Sequence, residues 1–166
     1  MQSLIKFFLF AALAATAVLA KQDDQSPMYA CIAGDVTGTI KPVYNIKDGK
    51  DANHKKNFLM TIKLKLKGFD GKEGGSFSIM DGVCEEGKYG SNFWHEGKVG
   101  PDPFPVYFNT NKKGKSVKKK VKVNNGYSKD KNSAEGKNAG KIFVVYDSEG
   151  DVVGCGEIMN EKKEDC

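Results

Sequence analysis

The sequence contains no arginine; every one of its 26 basic residues is lysine. Arginine makes the bidentate contacts to phosphates and base edges, so its absence argues against nucleic-acid binding. Histidine is scarce as well. His54 and His95 are the only two, and no H-x-H or H-x-x-x-H spacing is present. A dedicated metal site normally needs three or four ligands, so solvent-exposed or loop-packed roles are expected for both. Both histidines fall in loop segments and the cysteines of an exported chain should be oxidised, so no Ser/His/Asp or Cys/His nucleophile set is expected. No Asn-x-Ser/Thr triplet occurs, so no N-glycan is expected. Past residue 20 no apolar run approaches membrane length, which excludes stable membrane insertion. No convincing amphipathic helix and no repeat of fixed period are visible.

What is present begins with a leader. Lys6 supplies a positive start, Phe7 to Leu19 an apolar core, and Val18-Leu19-Ala20 a small-residue cleavage site. Residues 1–20 therefore read as a secretory signal peptide; the alternative, a membrane anchor, needs a longer run. A flexible N-terminus over 21–28 and a single domain over 29–166 are expected, secreted and extracellular. Four cysteines in an exported chain imply two disulfides, with three pairings open.

The domain is written in short strands. From Phe58 to Lys67, Met60, Ile62, Leu64 and Leu66 alternate with Thr61, Lys63, Lys65 and Lys67. Strict alternation means one face on a core and one in water, and outward lysines guard against edge-to-edge pairing. Ile142 to Tyr146 and Val152 to Val153 flank the polar turn Asp147 to Asp151, a hairpin signal. Cys155 sits between Gly154 and Gly156 on the second arm, where glycine permits close backbone approach. Seven or eight such strands, with turns every ten residues or so, predict an all-β antiparallel sandwich or barrel.

Several motifs, in order, resemble the copper/zinc superoxide dismutases. They are Ala33 to Ile40, A-G-D-V-T-G-T-I; Leu64 to Phe69, L-K-L-K-G-F; Gly75 to Met80, G-S-F-S-I-M; Gly90 to Phe93, G-S-N-F; Gly140 to Asp147; and Gly154 to Ile158, G-C-G-E-I. The resemblance covers most of the chain after the leader and implies an eight-stranded Greek-key β-sandwich or barrel. It pairs Cys84 with Cys155, pinning a long loop to the last strand, and with them Cys31 with Cys166, unless Cys166 is free for an intermolecular link. The family's copper histidines fall on Ser78, Met80, Asn92 and Tyr146, and its catalytic arginine falls near Val152. The short turn Asp147 to Gly154 stands where typical members carry a long electrostatic loop. The nearest architecture is therefore that of the copper-only, zinc-less members, with the copper ligands lost.

Redox cycling of copper in such a site needs imidazoles, and serine and asparagine are poor ligands for Cu(I). The resemblance with these substitutions implies a secreted pseudoenzyme: no cofactor, no metal, no enzyme activity, and a role in binding. The alternatives are a divergent copper-only dismutase and an extracellular copper-binding protein. An extracellular protein or an anionic polymer is the expected partner. Lys112, Lys113, Lys115, Lys118, Lys119, Lys120 and Lys122 form the basic cluster that would meet it, against the plainer reading of a solvated strand face. The loop over 84–108, with Phe93, Trp94 and Phe104, either binds a partner or packs over the vacated metal position.

Overall fold

The computed structural model describes residues 28–44, 59–71, 73–116, 120–127 and 138–160. The leader, His54, Lys118, Lys119 and Cys166 lie outside the described residues. Eight strands follow in order: β1 (Tyr29–Ile32), β2 (Thr37–Tyr44), β3 (Leu59–Lys67), β4 (Gly75–Met80), β5 (Val106–Phe108), β6 (Lys120–Asn124), β7 (Ile142–Tyr146) and β8 (Val152–Met159). A single helical turn, α1 (Glu96–Val99), lies between β4 and β5.

All neighbouring strands pair antiparallel, in the order β5-β4-β7-β8-β1-β2-β3-β6. Strand β8 joins the two halves: it pairs β7 along most of its length and β1 near its end. Neighbours distant in sequence, β3 with β6 and β4 with β7, record crossovers between the halves, so the sheet curls into a nearly closed all-β barrel.

Alternation builds the core. Met60, Ile62, Leu64 and Leu66 of β3, Val121 and Val123 of β6, Ala30 and Ile32 of β1, and Phe77 and Ile79 of β4 all point into it. Met28 is buried there too. Phe77 is its aromatic hinge, edge-on to Phe143 with ring centroids 5.6 Å apart and stacked on Phe108 at 6.4 Å. The lysines of β3 point outward, as the alternation predicts. They are not edge guards, however: β3 is flanked on both sides by β2 and β6, and the true edges are β5 and β6.

The hairpin expected over 142–153 forms. Its turn is held by Asp147, whose Oδ1 accepts from the backbone N–H of Glu149, Gly150 and Asp151, each at 2.9 Å. The second arm runs on to Met159, into residues whose charges read as a tail. The helical turn at Glu96–Val99 is likewise absent from the sequence reading, because four residues are too few to show a helical period. In the lysine-rich segment, Lys115 and Ser116 make isolated bridges and β6 runs over Lys120–Asn124; residues 117–119 lie outside the described residues.

Cys155 stands where β8 meets β1. Ala33 and Cys155 exchange two backbone hydrogen bonds, each 3.0 Å. A Cβ on Gly154 would lie 2.7 Å from Ile32 Cγ2, and one on Gly156 would press into the Cys31 carbonyl oxygen. Cys155 is disulfide-bonded to Cys84 with Cα atoms 5.6 Å apart across 71 residues of sequence. Closing a loop of that length contributes about 4 kcal/mol in the chain-entropy model. Cys31 is disulfide-bonded as well, and no described cysteine is free.

Gly156→Ala is expected to lower the free energy of unfolding by about 2–3 kcal/mol, since the β1 backbone would have to move. Glu157→Ala, on the exposed side of the same strand, should stay within about 0.5 kcal/mol. Chemical denaturation midpoints of the two variants check this pair.

Candidate functional site

The outer face of β4 and β7 carries the site. On β4, Phe77 and Ile79 face the core, so Ser76, Ser78 and Met80 face the other way. Register places Ser76 beside Tyr146, Ser78 beside Val144 and Met80 beside Ile142. Two loops rise over this surface, the segment between β4 and β5 and the turn after β7. They leave an open cleft of 730 Å³ whose lining includes Ser78, Met80, Asn92, Trp94, Tyr107 and Tyr146. All four positions singled out by the resemblance, Ser78, Met80, Asn92 and Tyr146, thus meet in one place.

The first loop is fixed by its own polar groups. Asp81 Oδ1 accepts from the Ser91 N–H at 2.7 Å, Asn92 bridges Met80, and the Phe93 N–H donates to the Ile79 carbonyl at 2.7 Å. Asp102 then staples the loop across its width: one carboxylate oxygen accepts from Asn92 Nδ2 at 2.7 Å and the other from the Phe104 N–H at 2.9 Å. Behind it, Phe93 stacks on Tyr127 with centroids 4.2 Å apart and receives the Lys141 ammonium over its ring at 4.3 Å. The fully buried Asn125 donates to Asn138 Oδ1 at 2.8 Å and to the Phe93 carbonyl at 3.2 Å, a satisfied polar pair under the loop. Phe93 and Trp94 both pack against the core, and Trp94 also lines the cleft.

The donor set does not fit the copper that the fold family implies. The cleft lining holds no imidazole and no thiolate. His95 lies elsewhere, tilted against Tyr127 at 5.8 Å and packed on Gly126. Met80 is the one soft donor, and its sulfur accepts a hydrogen bond from the Tyr146 hydroxyl at 3.3 Å. Burial pushes the Tyr146 phenol above its ordinary value; the nearby Tyr89 adds to this, and a hydrogen bond with Ser78 partly offsets it. The phenol is therefore protonated at neutral pH and acts as the donor to Met80. Among the described residues no group of three or more His, Cys, Asp or Glu side chains is placed to hold an ion.

The cleft has instead a charge of one sign. Asp102, Asp147 and Glu149 line it, and among the described residues no lysine does. Tyr107, on edge strand β5, turns its ring outward on the rim and is 72 % exposed. Sequence reasoning missed Tyr107, Asp147 and Glu149. Only the inward-facing Phe108 next to Tyr107 signals that this tyrosine points out. Of the predicted basic cluster, Lys112 and Lys113 lie in an exposed turn, Lys115 bridges Lys67, and Lys120 and Lys122 project from β6; none lines the cleft.

No protein-family model matches the chain, and no curated protein matches it by sequence. Solved structures do. The chain is similar to the copper(II) form of Candida albicans superoxide dismutase 5 at 15% identity and a TM-score of 0.48, over 84% of this chain and 94% of that one. It is also similar to a point mutant of the same protein at 16% identity and a TM-score of 0.47, over 82% and 93%. These findings overturn one expectation drawn from the sequence, that the chain is not an enzyme: the structures it resembles are superoxide dismutases, which are enzymes. The four substituted positions show that the donor set has changed; they do not show that no reaction remains.

The raised phenol gives a measurable signature. In a spectrophotometric titration of tyrosinate, one component should ionise above the usual value of about 10, and Tyr146→Phe should remove it. The sign for stability follows. Between the unfolded and the folded value the unfolded chain has released a proton that the folded chain keeps, so stability falls as pH rises through that window. The Tyr146 share of that fall should vanish in the phenylalanine variant.

Proposed function

We propose that this superoxide dismutase-like chain is an extracellular binding protein, and that the cleft on β4 and β7 recognises a cationic group, a protonated amine presented by a protein partner. One observation carries the reading: three carboxylates and the aromatic rings of Trp94, Tyr107 and Tyr146 line the cleft, with no cation among them. Carboxylates at the mouth attract positive charge and repel anions. Aromatic faces attract an ammonium through the ring quadrupole, more strongly once water is displaced. The serine hydroxyls of Ser76 and Ser78 supply a polar floor. The Cys84–Cys155 disulfide suits the oxidising surroundings of a secreted protein.

Trp94 is the only tryptophan in the chain, so its fluorescence reports on the cleft directly. Titration with N-acetyl-lysine amide should give a saturable change, and titration with N-acetyl-glutamate amide none. Glu149→Gln and Tyr107→Ala, both at exposed positions, should each weaken the response by about threefold to tenfold. An equal response to both probes, or none, overturns the reading.

A further inference from the structure

On the opposite side of the barrel, the described outward residues of β2, β3 and β6 that carry charge are all lysines. On β3, Lys63, Lys65 and Lys67 project outward, and on β6, Lys120 and Lys122 do the same. Register then sets lysines side by side. Lys41 of β2 lies directly opposite Lys63, and Lys63 directly opposite Lys120, a row of three across three strands. One end of the sheet adds Lys67 bridged to Lys115, and the other adds Lys122 beside Thr61. Strands β2, β3 and β6 contain no Asp or Glu. An ion pair joins Lys88 to Glu85, away from this face. Lys41 donates to the Tyr29 hydroxyl at 3.1 Å and lies over that ring, so it too lacks a carboxylate partner.

Ordinary roles do not account for this pattern. Like charges directly opposite in a sheet destabilise it, and a face kept merely soluble intersperses both signs. Edge protection explains Lys120 and Lys122 on β6, but β2 and β3 are interior strands. An arrangement that opposes folding and is not needed for solubility points to an external ligand that neutralises it.

We propose that this face docks a linear anionic polysaccharide, carboxylated or sulfated. Strands lie about 4.8 Å apart and alternate residues about 6.7 Å apart along a strand. The grid therefore presents positive charge at sugar-sized intervals over about 20 Å of β3. Each lysine offers a compact, rotatable point charge, which suits single anionic groups strung along an extended chain. A membrane surface is disfavoured because, among the described residues, no exposed large hydrophobic side chain lies here; Val83, Tyr107 and Val152 are all elsewhere. Single-stranded nucleic acid is disfavoured because there is no arginine and the ring of Tyr29, on the neighbouring strand, is already covered by Lys41. The core separates this face from the cleft, so a chain held on a polymer keeps its cleft open.

The test uses the whole secreted chain on immobilised heparin and on immobilised polygalacturonate, at about 0.15 M salt. Binding to at least one is expected, and which of the two identifies the anionic group. Lys63→Gln with Lys120→Gln should lower affinity by about tenfold or more, while the charge-matched pair Lys88→Gln with Lys98→Gln should stay within about threefold. Lys63→Arg with Lys120→Arg keeps the charges and should keep binding, and the thermal midpoint of the glutamine pair should be no lower than that of the parent. Equal losses in the two glutamine pairs would reduce the effect to net charge and overturn the proposal. So would failure to bind either polymer, or equally tight binding to phosphatidylserine vesicles or single-stranded RNA. Cleft variants such as Glu149→Gln should leave polymer binding unchanged, which separates this proposal from the reading of the cleft.

Discussion

Strand β8 serves both halves of the barrel, and it does so by bringing its backbone almost onto that of β1. Gly154 and Gly156 make this approach feasible, since a side chain at either position would meet Ile32 or the carbonyl of Cys31. Between them Cys155 closes two hydrogen bonds with Ala33 and a disulfide with Cys84. One small stretch thereby joins the halves of the sheet and anchors the start of the long loop after β4. The roof of the cleft depends on that anchor. It adds to the loop's own ties to β4, the Met80–Asn92 bridge and the Phe93 N–H to the Ile79 carbonyl, in holding Asn92, Trp94 and Asp102 over the β4 and β7 floor.

The same barrel separates two fields. A net charge of +5 conceals an acidic cleft on one outer face and an all-lysine surface on the other. Separation by a dry core lets both exist at close range, because opposite charges on a shared surface would pair and cancel. A partner with an amine would meet the first and an anionic polymer the second. The two readings rest on different residues and stand or fall independently.

The position occupied by copper ligands in the implied family is here a hydrogen-bonded organic surface. Tyr146 donates to Met80, Asn92 donates to Asp102, and Asp102 holds the loop that covers them. Each substituted residue has a partner, so the change from imidazoles leaves no orphaned buried polar group among the described residues.

Strand existence was legible in the sequence wherever one face is wet and the other dry. Met60 to Lys67 and the hairpin around Asp147 could be read because period-two alternation and turn chemistry are local properties. The glycines beside Cys155 announced a close approach for the same reason: a missing Cβ is visible without the partner. Local pattern could not say what approached, and it named the lysine run at 112–122 rather than the surface that forms. The three-lysine row needs the register of β2, β3 and β6, three segments far apart in sequence. The cleft likewise joins Ser78, Asp102 and Glu149, which no spacing relates. The sequence by itself determined which residues are buried and which are wet, because burial follows periodicity. Only the tertiary structure decided which wet residues face the same ligand, because that depends on crossovers between strands that carry no local signal.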